Sequence, residues 1–141
     1  MLRRDFIMVQ IEELGKVIAR IISLRHADTA RKNPQLVQVV YDSLKTDRAF
    51  LLNASVEEVR EFLNGMDMAG LQRMEIAARL LMEESYLVAE QQREMRLKAM
   101  EMLTHVQLHD TAFSLERAQW LDELDRLTAK EVCQTHADNA D

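Results

Sequence analysis

Glycine and proline are nearly missing from this chain, and no other feature constrains its fold as strongly. The 141 residues contain three glycines and one proline, and neither residue occurs after Gly70. Strand proteins need turn residues about every 8–12 positions, because each tight reversal favours glycine or proline. The sequence therefore excludes an all-β fold and argues strongly against a doubly wound α/β fold. It predicts an all-α protein.

Apolar residues recur at three- and four-residue spacing along most of the chain, which is typical of amphipathic helices. We expect one helical domain over residues 1–128, with about six mostly antiparallel helices, and a polar, flexible tail over 129–141. The first helix is predicted over residues 5–25. Gly15 and Ala19 lie in it four residues apart, and Gly15 is either tolerated there or marks a close contact with another helix.

Several local signals predict where the other helices begin and end. Asn33-Pro34 suggests a cap followed by proline in the first turn, and Ser55 with Glu58 fits a capping box. After Leu44 we expect a loop or short turn whose apolar residues enter the core. Gly65 ends a short helix whose inward residues include Phe62. In the second half of the chain we expect a helix break near Ser85 or over 90–94, and a loop over 109–112. Phe113 and Ser114 are predicted as a hydrophobic staple and an N-cap, and the last helix is predicted to end near Leu127 or Lys130.

Two segments resemble known families. Asp5-Phe6-Ile7-Met8, continued by an apolar stripe to Ile22, resembles the opening of an uncharacterised family of small, all-helical bacterial proteins. Residues 71–108 are similar to a tetratricopeptide helix pair, with Lys98-Ala99-Met100 where such repeats place a small residue. This second resemblance implies a right-handed helical stack, which we favour over a plain up-and-down bundle.

Charge and cysteine content limit the partners and the location of the protein. The net charge of −6 argues against nucleic-acid binding, which requires neutralisation of phosphates. No apolar stretch is long enough to cross a membrane and no signal peptide is evident, so we expect a cytoplasmic protein. Residues 1–32 are basic, however, and an amphipathic helix over 3–25 offers an alternative function in peripheral membrane association. The single cysteine, Cys133, precludes an intrachain disulfide.

The strongest candidate for chemistry is a possible metal site, and it makes a helical metal-dependent enzyme or metal-binding protein an alternative function. Glu101, His105 and His109 are spaced four residues apart, which places three potential ligands along one helix face. The same face would ordinarily be solvated, and we favour that interpretation. Cys133 and His136 form a second pair that lacks further ligands. Gly65 and Gly70 have the spacing of a phosphate loop, but no lysine follows and a helix precedes them, so we interpret this segment as a linker.

No catalytic arrangement is evident. Paired acids such as Glu57-Glu58 and Glu83-Glu84 are expected on solvent-exposed helix faces. We therefore predict that the protein is not an enzyme and needs no cofactor.

Methionine is enriched in the middle of the chain, with seven of nine between Met66 and Met102. Methionines at helical spacing either fill a core or line an adaptable groove for another helix. Trp120 is expected to anchor the last helix or to lie in an oligomer interface. The favoured function is a protein or peptide interaction module that acts through helix faces and can self-associate. Its candidate surface residues are Met74, Met82, Met95, Met102, Trp120 and Gly15.

Overall fold

The computed structural model describes residues 2–27 and 33–139, with side chains for 8–27 and 33–130. Within these residues the chain forms seven helices and no strand, which confirms the all-α prediction. The helices are α1 (Leu2–His26), α2 (Asn33–Leu44), α3 (Arg48–Asn53), α4 (Val56–Asn64), α5 (Gly70–Leu87), α6 (Gln92–His109) and α7 (Leu115–Asn139).

The structure has one helix more than the predicted count of about six, because α3 occupies the segment that was predicted as a loop or short turn. The Asp47 carboxylate caps it by accepting the backbone N–H of Phe50 at 2.8 Å. Leu51 is fully buried, and Phe50 and Leu52 pack against the core, so the predicted burial of this segment is confirmed. The prediction of a loop or short turn is wrong. The sequence did not reveal this helix, because six residues are too few to show a hydrophobic period.

Most of the other predicted helix boundaries are confirmed, including the start of α2 at Asn33. The predicted cap at Asn33 is wrong, because its side-chain Oδ1 and Nδ2 have no hydrogen-bond partner among the described residues. Ser55 Oγ accepts the N–H of Glu58 at 3.1 Å, and the Glu58 carboxylate accepts the N–H of Ser55 at 3.3 Å, which completes the capping box. Ser114 caps α7 by accepting the N–H of Arg117. Phe113, however, is 74% exposed and does not pack as the predicted staple. The break between α5 and α6 lies at residues 88–91, where Gln91 has a φ of 59°.

Helix α5 is the centre of the fold, because it packs against α1, α2, α4 and α6, and α7 in turn packs on α6. The prediction that Glu83 and Glu84 face solvent is therefore wrong: they are only 5% and 6% exposed. Each lies beside an arginine from another segment, Arg25 for Glu83 and Arg48 for Glu84. The core consists of apolar residues from all seven helices, and its largest fully buried members are Ile18, Ile21, Leu51, Met74, Leu80, Leu81, Met95, Met102, Leu103 and Leu124.

Helix α7 is longer than the sequence predicts. It continues to Asn139, well past the expected end near Leu127 or Lys130, and so includes most of the segment predicted as a tail. The side chains of Cys133 and His136 lie outside the described residues.

Candidate interaction surface

The connection between α4 and α5, residues 65–69, forms a short loop that displays two methionines. Gly65, with a φ of 59°, ends α4 in the left-handed region that favours glycine. Met66 is 89% exposed and Met68 is 71% exposed. Large apolar side chains that are this exposed bury little surface in the folded chain, so a cluster of them marks an interaction site.

Asp67, between the two methionines, fixes the loop. Its carboxylate accepts the N–H of Ala69 at 3.0 Å and a hydrogen bond from Arg73 Nη1 at 2.7 Å. The hydrogen bond from Arg73 is the main reason that the pKa of Asp67 falls from 3.8 to about 2. The loop therefore presents its methionines from a backbone held by charge-assisted hydrogen bonds.

Arg73 connects this loop to two helices besides its own. Its Nη1 also donates to the Leu63 and Asn64 carbonyls at 3.0 and 3.3 Å, two of the carbonyls at the end of α4 that have no partner within that helix. Its Nε and Nη2 donate to Gln10 Oε1 on α1 at 3.2 and 3.1 Å. One largely buried guanidinium thus fixes the relative positions of α1, α4 and α5 around the loop.

A cleft of about 490 Å³ lies between α1 and this loop. Met8, which is 59% exposed, and Met68 are among the residues that line it, with Glu12 contributing a carboxylate. We call the exposed set Met8, Met66 and Met68 the methionine surface. A second cleft, which Asp67 also lines, includes Phe62, which is 50% exposed.

Acidic side chains flank this apolar region. Helix α4, which carries Phe62, also exposes Glu57, Glu58 and Glu61, and Glu12 lines the first cleft. The Phe62 ring rests on Phe50 with centroids 4.8 Å apart, which holds the exposed ring in place. The prediction that Phe62 faces inward is therefore wrong. The surface combines fixed apolar groups with negative charge.

The four methionines singled out from the sequence lie in the core. Met74, Met95 and Met102 are fully buried and Met82 is 6% exposed. They pack between α5, α6 and their neighbours, so of the two interpretations of these methionines, core filler and groove lining, the structure shows the first.

The other two candidate surface residues are accessible but form no patch together. Trp120 is partly buried against the core, with the Arg79 guanidinium 4.4 Å from its ring centroid. A Cβ added at Gly15 would meet nothing within 4 Å. Of the two interpretations of Gly15, a tolerated glycine and a close helix contact, the structure therefore favours the first. A close helix contact is found at Gly70, where a Cβ would collide with Arg60 and Asn64.

The three possible metal ligands on α6 do not converge on one point. Glu101 is 60% exposed and lies 3.9 Å from Lys98 Nζ. His105 and His109 stack with ring centroids 4.1 Å apart, and Arg60 Nη1 lies 3.3 Å from His105 Nε2. The Arg60 cation thus lies against one of the two ring nitrogens through which His105 could bind a metal. Among the described residues, no group of three or more potential ligands is placed to hold a metal ion.

Burial, His109 and Arg60 all lower the pKa of His105 below its ordinary value, with burial the largest cause.

Sequence reasoning missed Met8, Met66 and Met68, because helical periodicity selects the methionines that are buried. The available signal was the position of Met66 and Met68 in a linker bounded by Gly65 and Gly70, where apolar residues have no core to enter.

No family model, curated protein or solved structure matches this chain. Within the described residues, no helix has the length and apolar character needed to cross a bilayer. Function must therefore be inferred from the surface itself.

Proposed function

We propose that this protein is a non-enzymatic interaction module that binds a protein partner through the methionine surface. The observation that carries this proposal is the exposure of Met66 and Met68 on a loop that Asp67 and Arg73 hold in place. Methionine is flexible and polarisable, so a fixed group of methionines adapts to varied apolar side chains. Loop fixation lowers the entropy that binding must overcome.

We infer that the partner is an amphipathic helix with basic residues beside its apolar face. The apolar requirement follows from Met8, Met66 and Met68. The basic requirement follows from Glu12 in the cleft and from the exposed glutamates of α4, since complementary charge favours encounter and orientation.

The proposed architecture supports such a function. We propose that the helices pack as antiparallel neighbours in a tetratricopeptide-like right-handed stack, in which short connections leave helix ends and faces open to partners. The four-residue connection between α5 and α6 and their extensive packing support this arrangement.

Binding can be tested by NMR of protein labelled at its methionine methyl groups. Two designed helical peptides share one apolar face and differ only in flanks, lysine in one and glutamate in the other. We expect the lysine peptide to shift the Met8, Met66 and Met68 signals, while those of buried Met74 and Met102 stay in place. The glutamate peptide should bind at least about tenfold more weakly, because like charges oppose it.

Two variants provide the controls. Met66→Gln combined with Met68→Gln should abolish the response, and Leu108→Gln should preserve it, because Leu108 is equally apolar and 76% exposed but lies on α6. If neither peptide moves the three signals, the proposed function is wrong. If the signals move with protein concentration and no peptide, the occupant is a second copy of the chain and the proposed basic partner is wrong.

A further inference from the structure

A second pocket, separate from the methionine surface, lies between α2, the start of α3 and the end of α5. Its volume is about 350 Å³. Its apolar wall includes Val37, Leu87 and Val88, and its polar groups include Tyr41, Arg48 and Glu84. A pocket of this kind, mostly apolar with a few converging polar groups, is the usual form of a small-ligand site.

Two buried polar atoms in this pocket lack hydrogen-bond partners among the described residues. They are the Tyr41 hydroxyl, on a residue that is 5% exposed, and Arg48 Nη1. Arg48 Nη1 lies 3.3 Å from Glu84 Oε1 as an ion pair, without the alignment of a hydrogen bond. The Tyr41 hydroxyl is near enough to Glu84 for the two groups to influence each other, but it too lacks hydrogen-bond geometry.

Buried donors without acceptors are rare, because each has lost its hydration without replacement. Both of these atoms lack a hydrogen bond, and both can donate one. The simplest group that satisfies them together is one acceptor oxygen placed between the tyrosine and the arginine.

The charge of the pocket indicates which chemical group supplies this acceptor oxygen. Arg48 and Glu84 offset each other, and Asp47 adds a negative charge at the rim while it caps α3. A carboxylate or phosphate would therefore meet no net positive charge. Burial is the main cause that raises the pKa of both Glu84 and Tyr41, so the tyrosine stays a neutral donor.

We propose that this pocket binds an uncharged amide that carries an apolar substituent. The amide oxygen accepts from the Tyr41 hydroxyl and Arg48 Nη1, and the amide N–H donates to the Glu84 carboxylate. The substituent packs on Val37, Leu87 and Val88. The amide has two possible sources, a small carboxamide or the peptide bond of an extended chain, and both present the same acceptor and donor.

Three probes that share an isobutyl group test the proposal by NMR titration of the Val37, Leu87 and Val88 methyl groups. Isovaleramide carries a primary carboxamide, N-acetyl-leucine N-methylamide carries peptide amides, and isovalerate carries a carboxylate on the same apolar body as isovaleramide. We expect at least one amide to bind, and the tighter one identifies the source. Isovalerate should bind at least about tenfold more weakly, because the pocket offers it no net positive charge.

Tyr41→Phe should weaken amide binding about tenfold, since it removes one donor to the ligand oxygen. The same change should leave the midpoint of urea unfolding unchanged or higher, because the hydroxyl makes no aligned hydrogen bond in the unliganded protein. Tyr86→Phe is the matched control: the Tyr86 hydroxyl donates to Glu123 Oε1 at 3.1 Å, so this variant should lower the midpoint and preserve binding.

The proposal is overturned if neither amide shifts the pocket methyl groups, which would mean that the pocket holds water only. It is equally overturned if isovalerate binds as tightly as isovaleramide, or if Tyr41→Phe keeps full affinity. These outcomes do not bear on the methionine surface, which is tested with different residues and different probes.

Discussion

Replacing Gly70 with alanine should destabilise the protein, although alanine is the better helix former. A Cβ at Gly70 would lie within 3.0 Å of the Arg60 carbonyl oxygen and of Asn64 Oδ1 and Cγ. The Arg60 oxygen belongs to the backbone of α4, so α4 and α5 must separate to admit the methyl group. Asn64 Oδ1 also accepts the Gly70 N–H at 2.9 Å, and this hydrogen bond is strained or lost when Asn64 moves.

The net effect follows from three contributions. Overpacking of a tight contact costs about 1–3 kcal/mol, and the weakened hydrogen bond costs about 1 kcal/mol. The gain in helix propensity offsets about 1 kcal/mol of this. We therefore expect the free energy of unfolding to fall by about 1–3 kcal/mol.

Gly15→Ala is the matched comparison, because it makes the same change in mid-helix where a Cβ would meet nothing within 4 Å. It should raise the free energy of unfolding by about 0.5–1 kcal/mol. Urea titration followed by circular dichroism at 222 nm measures both variants. With a slope of about 2 kcal/mol per molar urea, the midpoint should fall by about 1 M for Gly70→Ala and rise by about 0.4 M for Gly15→Ala.

A Gly70→Ala variant as stable as the parent would refute the close contact of α4 and α5. A destabilised Gly15→Ala variant, with a loss that grows with protein concentration, would instead place a second copy of the chain against α1.

Three further predictions concern charged groups. Arg117→Lys should lower the free energy of unfolding by about 1–3 kcal/mol in urea titration, since one ammonium cannot reproduce the separate Nε, Nη1 and Nη2 bonds to Glu75, Gln107 and Asp110; a neutral result would contradict the geometry. Asp67 has a folded pKa of about 2 against 3.8, so its stabilisation is complete above pH 4 and is lost as the pH falls through about 2. Asp67→Asn should remove about 1 kcal/mol at pH 7, since it weakens the hydrogen bonds from Arg73, and should flatten the acid limb of a stability–pH profile. An unchanged limb would contradict the lowered pKa. His105 has a folded pKa below 6.5, so the unfolded chain takes its proton more readily and stability should decline as the pH falls through 6.5; an NMR titration that places the pKa of His105 at or above 6.5 would refute this.

The sequence was informative wherever one residue type controls local backbone geometry. The Ser55 capping box, the end of α4 at Gly65 and the Ser114 cap follow from short-range hydrogen bonding and backbone freedom, which depend on neighbouring residues alone. The burial of a side chain was predictable only where its helix packs against a single neighbouring helix and leaves the opposite face to solvent. Glu83 and Glu84 show the limit, because their burial depends on how many helices surround α5.

The candidate surface was less predictable for a related reason. Periodicity identifies residues that share a helix face, and it placed Met74 and Met102 on apolar stripes without stating whether those stripes are covered. Met66 and Met68 lie outside any helix, so no period includes them. The pocket at Tyr41 brings together residues 41, 48 and 84, and that proximity is a property of the tertiary fold alone.

Met68 has a φ of 58°, in the left-handed backbone region where a residue with a side chain costs about 1–2 kcal/mol relative to the right-handed helix. Glycine would relieve this strain, and the side chain that stands there is 71% exposed and adds little to the core. Met68 therefore lowers the stability of the folded chain, and its side chain makes no compensating contribution to the core. Stability-directed redesign would replace Met68 with glycine first, and would thereby remove part of the surface on which the proposed function depends.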